Sequence, residues 1–355
     1  MGELQTVWGV LPSAYLFLAG AAAGTFFVSA IALLAAPQRF CRVVNRGFIC
    51  ALVLLAVGLL CLVAETEKPL RALLLPISFT NLGSWMTIGA WLLLATTVVY
   101  AAAGVLSLPR FRRGGSGDRD GAAGFAGPAG RDGSTGRDGS TCAAGSDGLV
   151  GESGKLGPTG AARAVRVVAA AGAVLSVGVA AYSAVLLMAA GSVPLWNNPV
   201  LIAVFLASAA SMGVAVFALL ARLGGVREPA ALRVAAAVAP LVELVVIAAF
   251  LATSQAGDAT QQRSFELIVS GPLAVAFWVG AIALGIAVPA ALAFAEILVE
   301  RRRASVGCAS RTLAVASCVC SLAGAFSLRF VIVSAGVHAS LVMPIAAAAA
   351  AGLTL

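Results

Sequence analysis

Long apolar stretches alternate with short polar segments along the whole chain. Because a helix needs about 20 predominantly apolar residues to cross the hydrocarbon core of a bilayer, each stretch predicts a membrane span. We place the spans at about 12–36, 45–65, 84–107, 164–190, 198–222, 231–253, 268–298 and 310–336. The pattern therefore predicts an all-α polytopic membrane protein with eight transmembrane helices, which we group into two four-helix bundles.

The composition agrees with this pattern. Of the 355 residues, 61% are hydrophobic and 11% are charged, and the mean hydropathy is +1.01. Soluble domains carry about 25% charged residues. The net charge is +8, but basic residues in a membrane protein usually set its topology. We therefore expect the protein to lie in the lipid membrane and to bind no nucleic acid.

Arginines are concentrated in every second connecting segment. The segments after spans one, three, five and seven are rich in arginine, whereas the intervening ones carry few bases, apart from mixed charges after span two. The positive-inside rule then places the Arg-rich segments in the cytoplasm and both termini outside, in the inner (cytoplasmic) membrane. We interpret the first apolar run as a retained span, because no basic segment precedes it. The arginines concerned are Arg39, Arg42, Arg46, Arg110, Arg112, Arg113, Arg222, Arg227, Arg233, Arg301, Arg302 and Arg303.

A glycine repeat lies between the third and fourth spans. From Gly121 to Gly160 a glycine occupies every third position, thirteen times in all, with one replacement at Cys142. This is the collagen pattern, since only glycine fits the axis of three wound chains. Two interpretations stay open: a disordered Gly-rich cytoplasmic loop, or a collagen-like segment that trimerises or binds a partner.

The repeat also sets the predicted division of the chain. Residues 1–107 hold the first three transmembrane helices, and 108–163 form a cytoplasmic loop with the collagen-like insert. Residues 164–337 hold transmembrane helices four to eight. The apolar C-terminal tail, 338–355, is short for a ninth span, so we expect a helix lying against the bundle or the interface.

Few ionisable or phenolic side chains fall within the spans. Ionisable groups in a bilayer are costly, so each of them is a functional candidate. Glu243, in the middle of span six, needs a partner, a bound water or a neutral state. Glu296 lies near the cytoplasmic end of span seven. Five further candidates share a depth in the outer half of the membrane: Tyr15, Glu65, Tyr182, Arg329 and His338.

Each of these five also has a structural interpretation. Glu65 can anchor a helix end, and the two tyrosines can belong to an aromatic belt at the interface. Arg329 can pair with a carboxylate for structural reasons, and His338 can be solvated. Their common depth favours one site, although a sequence does not show which helix faces point towards each other.

The histidine and cysteine content limits the cofactors. A haem with two axial imidazoles needs two histidines, and this chain has one. We therefore expect no haem of that type. The seven cysteines contain no CxxC pair, and most lie in or beside apolar runs. We expect no metal site and no disulfide framework.

Several short motifs occur in an order that is typical of one membrane-protein family. The chain resembles the NrfD-like subunits, also called the polysulfide reductase membrane-anchor family. The resemblance covers all eight predicted spans and omits the glycine repeat. The motifs are YLFLAG at 15–20, ETEKP at 65–69, TNLGSWM at 80–86, GAW at 89–91, PLWNNP at 194–199, FLAS at 205–208, FWVG at 277–280 and RFVIVSAG at 329–336.

The resemblance implies a quinol-binding anchor of an oxidoreductase complex of the kind used in anaerobic respiration. Menaquinone or ubiquinone would bind near the outer face, against an iron–sulfur subunit joined to a molybdopterin catalytic subunit. Glu65 stands where the family has an acidic pocket residue, and Tyr182 at a tyrosine that can hydrogen-bond the quinone oxygen. We assign the catalytic role to these two residues. Two positions depart from the family pattern, since Glu65 replaces Asp and Glu67 replaces Gly.

Other candidate roles follow from the resemblance and from depth. Tyr15 occupies a first-helix position that is polar in some members, and Glu243 corresponds to a buried carboxylate proposed for proton transfer. By depth we add Arg329 and His338 to the quinone site, and we add Glu296 to the proton-transfer group. Two other functional classes stay open. One is a secondary transporter or proton channel that uses the same carboxylates, and the other is a scaffold in which the glycine repeat is the working part.

Overall fold

The regular elements of the described chain are helices. The computed structural model describes residues 10–65, 85–107, 160–189, 191, 193–226, 228–300 and 308–337. The helices are α1 (Val10–Ala35), α2 (Pro37–Glu65), α3 (Trp85–Leu106), α4 (Gly160–Met188), α5 (Val200–Leu223), α6 (Ala230–Gln255), α7 (Ala259–Val269), a π-helical segment (Ala276–Ala287), α8 (Val288–Glu300) and α9 (Cys308–Ser334).

All eight predicted spans are confirmed. Within the described ranges, eight helices are long and apolar enough to cross a membrane, with the π-helical segment and most of α8 forming the seventh. Successive spans run in opposite directions, so their ends define two sides of the molecule. We call the side that carries Ala35, Leu223 and Glu300 the Arg-rich side. The side that carries Val10, Trp85 and Ser334 is the tyrosine side. The two-bundle grouping and the outside location of the termini stay predictions.

Two predicted loops contain helix. The segment 37–46, which the arginine pattern assigns to a loop, forms the first turns of α2, so α2 begins directly after α1 ends. Pro37 stands at the first position of α2, where the missing N–H of proline would lack a helical acceptor in any case. The predicted loop 254–267 contains most of α7. The predicted loop insert and the tail 338–355 lie almost wholly outside the described residues.

The first helix is the most enclosed span. It packs against α2, α4, α5 and α9, and its residues Leu16, Ala19, Ala22 and Phe26 are fully buried. Where α1 crosses α5, Gly24 lies against the backbone of Ala209 and Gly213, so a Cβ atom on Gly24 would overlap the Ala209 carbonyl. Small residues at such crossings let transmembrane helices approach closely. This contact joins the first four spans to the last four.

The other helices expose large apolar side chains on their outward faces. Val53, Val98, Val174 and Val245 are each more than half exposed. In a soluble protein such a surface would be an aggregation hazard, but the acyl chains of lipids cover it in a bilayer. The exposed apolar belt therefore agrees with the membrane assignment.

A hydrogen-bonded cap closes the tyrosine side between α4 and α5. The indole of Trp196 donates to the Ile332 carbonyl (3.0 Å) at the end of α9. The Asn198 amide donates to the Thr253 hydroxyl (2.7 Å) on α6, and the Gln261 amide donates to the Pro194 carbonyl (2.9 Å). The PLWNNP motif therefore ties the ends of three other helices together on the tyrosine side.

Candidate functional site

Two predicted site residues form a pair on the tyrosine side. Tyr15 in α1 and Tyr182 in α4 are both buried, and their phenols are near enough to interact electrostatically. The Tyr182 hydroxyl donates a hydrogen bond to the Trp85 carbonyl (3.1 Å), in the first turn of α3. A phenol that donates one hydrogen bond can still accept another at its oxygen, so Tyr182 keeps an acceptor for a ligand.

Glycine at position 89 makes this arrangement of Tyr182 possible. A Cβ atom on Gly89 would overlap the phenol ring and hydroxyl of Tyr182. The GAW motif therefore provides the space into which Tyr182 reaches across the α3–α4 interface. A tyrosine that only anchored the molecule at the lipid interface would have no need of this space.

Two unpaired hydroxyl groups lie on α1 and α3, near the ends of these helices on the tyrosine side. Ser13 and Thr87 are fully buried, and neither side-chain oxygen has a hydrogen-bond partner within the described part of the protein. Ser13 is two residues from Tyr15, and Thr87 is two residues from Trp85. Buried polar groups are normally satisfied, so each of these two hydroxyls is a candidate contact for a water molecule or a polar ligand.

Arg329 lies at the depth of the tyrosines but faces a different set of groups. Its side chain is 1% exposed. Nε donates to the Leu16 carbonyl (3.2 Å), and Nη1 donates to the Ser208 hydroxyl (2.9 Å) and to the Ala325 carbonyl (3.2 Å). The guanidinium lies 5.1 Å from the centre of the Phe205 ring, within range of a cation–π contact. Arg329 thus connects α9 to α1 and α5.

Part of the Arg329 guanidinium remains without a partner. Among the buried side-chain atoms of the described ranges, Nη2 has no hydrogen-bond acceptor. This nitrogen points towards Gly20 of α1, where a Cβ atom would leave it too little room. An unsatisfied donor on a buried cation is costly. The orphaned Nη2 therefore marks a position where a water molecule or a rearranged carboxylate can bind.

Glu243 is a buried carboxylate that interacts electrostatically with Arg329. It lies in the middle of α6 and is 4% exposed. It lies close enough to the hydroxyls of Ser208 and Ser211 and to Arg329 to interact with all three. Because Ser208 accepts a hydrogen bond from Arg329, the four polar groups form one cluster inside the membrane. The sequence predicted that Glu243 needs a partner, a bound water or a neutral state, and this cluster provides polar partners.

Glu296 belongs to a separate cluster at the Arg-rich side. Arg222 at the end of α5 binds two carboxylates at once, Glu228 (Nε to Oε1, 2.6 Å) and Glu296 (Nη1 to Oε1, 2.6 Å). Its Nη2 also donates to both of them. The cluster fixes the turn after α5 against α8. Fork-like contacts of this kind are geometrically specific.

The predicted site residues thus fall into three groups. Tyr15 and Tyr182 lie together, Arg329 joins Glu243, and Glu296 joins Arg222. Glu65 is the last residue of α2, on the tyrosine side, and the structure describes only its backbone. His338 lies outside the described residues, as does the segment 66–84. The assignments of these residues to quinone binding and proton transfer stay predictions.

Comparisons with known proteins bear on the family. The family described as "Polysulphide reductase, NrfD" matches residues 2–115 and 147–339 of this chain. The chain belongs to the NrfD family. The family match is interrupted at 116–146, which includes the first part of the glycine repeat. The Haemophilus influenzae protein called "Protein NrfD homolog" is 31% identical over 168 residues, which are 46% of this chain. The aligned part spans 50% of that relative's length.

Sequence reasoning missed several polar residues of this NrfD-family protein. Ser208 and Ser211 lie close to Glu243 and Arg222 binds Glu296, yet the sequence predicted none of the three as a site residue, and Arg222 was named only as a topology marker. The FLAS motif includes Ser208, and Ser211 follows one helical turn later. Hydroxyls at such spacing on an apolar helix are a usable signal, since they share one face.

Proposed function

We propose that this chain is the quinol-binding membrane subunit of an oxidoreductase complex. It would pass electrons between membrane quinol and an iron–sulfur partner subunit on the outer face, without haem. The observation that carries the proposal is the burial of Tyr15 and Tyr182 near each other on the tyrosine side. Membership of the NrfD family supports it.

The residues of the tyrosine side fit a quinone. A quinone ring needs a hydrogen-bonding group at each oxygen and apolar walls at its faces. Tyr182 supplies a neutral donor, and Tyr15 supplies a second phenol at the same depth. When bound, quinol supplies two electrons and two protons. Glu65, at the end of α2, is the proposed acceptor for a proton released there.

The polar cluster of Arg329, Ser208, Ser211 and Glu243 provides a proposed route for protons. Arg329 bonds the carbonyl of Leu16, the residue after Tyr15, and the hydroxyl of Ser208, which lies close to Glu243. Glu243 would hold or release a proton at its carboxyl oxygen, with Ser208 and Ser211 as hydroxyl partners. Arg329 would stabilise the charged carboxylate while the proton is away.

The partners are proposed to attach on the tyrosine side. The cap between α4 and α5 is fixed by side-chain bonds to three helices, and α7 adds exposed polar residues next to it. A rigid polar surface suits the docking of a water-soluble iron–sulfur subunit, itself joined to a molybdopterin subunit. The exposed residues concerned are Asn197, Asp258, Gln262, Arg263 and Glu266.

Removal of the phenol oxygen tests the quinol site. We expect Tyr182→Phe to lower quinol-dependent electron transfer in the purified complex about tenfold or more, because one hydrogen bond to the reacting oxygen is lost. Glu65→Gln should lower it similarly. The measurement is steady-state turnover with a soluble quinol, together with the subunit composition of the complex.

Tyr100→Phe is the matched control. Tyr100 is also buried, and its hydroxyl bonds the Ser176 hydroxyl (2.7 Å) between the same two helices, α3 and α4. Its loss should leave turnover near that of the unsubstituted complex. Unchanged turnover in both Tyr182→Phe and Glu65→Gln would refute the site, and equal losses in Tyr100→Phe would reduce it to a stability effect.

A secondary transporter or proton channel is the competing function. The polar cluster around Glu243 favours it as much as it favours quinol-linked proton transfer. The two differ in their dependence on partners, because a channel or transporter works alone. Proton or solute flux in liposomes that hold only this chain would favour the channel or transporter.

Deletion of the glycine repeat tests the scaffold alternative. We expect the complex without residues 114–160 to assemble and to keep its quinol-dependent turnover, because the site residues lie in the spans on either side. Turnover and subunit composition are again the measurements. Loss of assembly would instead assign the working role to the repeat.

A further inference from the structure

A cavity lies inside the membrane part, on the opposite side of Glu243 from the tyrosine pair. It has a volume of about 40 Å³ and lies between α5, α6, α8 and α9. Three serine hydroxyls line it: Ser211, Ser317 and Ser321. A water molecule needs roughly 10–15 Å³ of such volume and two or more polar partners. The cavity therefore has room and hydrogen-bonding groups for two or three waters.

A backbone carbonyl in the cavity wall adds a further polar group. Pro240 lies inside α6 and has no N–H, so the Ala236 carbonyl one turn earlier lacks its helical donor. Both residues line the cavity. A second proline, Pro289, lines it from α8. Backbone groups at membrane depth need a partner, and a helix-breaking proline is tolerated where water can provide one.

The two ends of the cavity connect different parts of the molecule. At one end Ser211 lines the cavity and lies close to Glu243, and Pro240, which also lines it, shares a face of α6 with Glu243. At the other end Arg222 and Glu296 line it, and their cluster lies at the Arg-rich ends of α5 and α8. The cavity therefore extends from Ser211 and Pro240, next to Glu243, towards the Arg-rich side.

We infer that this cavity is a water-filled inlet that gives Glu243 proton exchange with the Arg-rich side of the membrane. A proton that leaves the Glu243 carboxyl passes to a cavity water, which releases one of its own protons to the next water, and the reverse order restores the carboxyl. The Arg222–Glu228–Glu296 cluster forms the mouth. Only the source of the exchanged protons rests on the proposed quinol oxidation.

Thiol labelling tests the water directly. Ser321→Cys and Ser317→Cys are placed singly in a chain whose seven native cysteines are replaced by alanine, within the assembled complex. A membrane-impermeant thiosulfonate is added to either side of sealed vesicles, and labelled peptides are quantified by mass spectrometry. A thiol reacts as its thiolate, which needs water, so a thiol in lipid or a dry interior stays unlabelled.

Two control variants set the scale. Arg163→Cys, exposed at the start of α4, identifies the Arg-rich side, and Val319→Cys lies on the lipid-facing surface of α9. We expect Ser321→Cys to react from the side of Arg163→Cys, at least about tenfold faster than Val319→Cys. A rate equal to that of Val319→Cys, or faster labelling from the tyrosine side, would overturn the inference.

Radiolytic footprinting provides a measurement on the native chain. Hydroxyl radicals generated from water modify side chains beside that water, so Pro240 and Leu292 should be oxidised. The comparison is a cavity of about 10 Å³ lined entirely by apolar side chains, including Phe250 and Phe277. We expect modification in the first cavity and none in the second. Modification of the two phenylalanines alone would contradict a wet inlet.

Neither measurement uses quinol. If the quinol site is wrong, Tyr182→Phe leaves turnover unchanged while the labelling pattern persists. If the inlet is wrong, the labelling fails while Tyr182→Phe still lowers turnover. The two hypotheses therefore fail separately.

Discussion

Gly24→Ala is expected to lower the yield of folded protein severely. The added methyl group meets the backbone carbonyl of Ala209, which has no rotamer to relieve the overlap. Helices α1 and α5 must then move apart, and both lose packing along their length. Overpacking against side chains typically costs 1–3 kcal/mol, and we expect about 3 kcal/mol or more here because backbone must shift. The readouts are monodisperse yield in mild detergent and thermal unfolding.

Gly104→Ala is the matched control for this prediction. Gly104 also lies within a membrane helix, but a Cβ atom at that position meets open space. Alanine is up to about 1 kcal/mol better than glycine in a helix, so the variant should be neutral or slightly more stable. Gly213→Ala should resemble Gly24→Ala, and the double variant should cost less than the sum, since one crossing is disrupted twice. Normal yield of Gly24→Ala would show that α1 and α5 are not packed in this way.

Arg329→Leu is expected to have the second largest effect. It deprives the Ser208 hydroxyl and two backbone carbonyls of a donor, and it leaves Glu243 without its nearby positive charge. Removal of one partner from a buried charged pair typically costs about 3–5 kcal/mol. For a chain of this size that corresponds to a loss of roughly 5 °C in unfolding temperature.

A second substitution separates charge from packing in this prediction. Arg329→Leu combined with Glu243→Gln should recover part of the lost stability, because the carboxylate no longer needs a counter-charge. Arg166→Leu, an exposed arginine on α4, should leave the unfolding temperature nearly unchanged. The coupling between Arg329 and Glu243 would be refuted if the double variant were less stable by the sum of both single effects.

The spans could be predicted from sequence because their cause is local. A segment such as Val200–Leu223 must be apolar over its full length wherever its neighbours lie. The first turns of α2 escaped the prediction, since the arginines that mark a cytoplasmic connection do not prevent helix formation. The π-helical segment was also missed, because the FWVG motif within it contains no residue pattern that predicts a change of helical period.

The sequence predicted the depth of each candidate site residue in the membrane. It could not predict which of these residues contact each other. Depth follows from position along a span, so the common level of Tyr15, Tyr182 and Arg329 was visible. The direction of each side chain depends on the rotation of its helix about its own axis. A rotation by a third of a turn would move Arg329 from Ser208 to lipid without changing its depth.

Eight spans, an Arg-rich side and a short set of buried polar candidates are predictable from the sequence, because apolar length and charge placement act on each segment separately. The packing of the helices brings Tyr15 near Tyr182, places the Arg329–Ser208 bond beside Glu243, and lets Glu296 bind Arg222. Those choices follow from how closely the helices approach. At the central crossing, Gly24 and Gly213 allow backbone to meet backbone, and this contact sets which face of α5 is turned inwards.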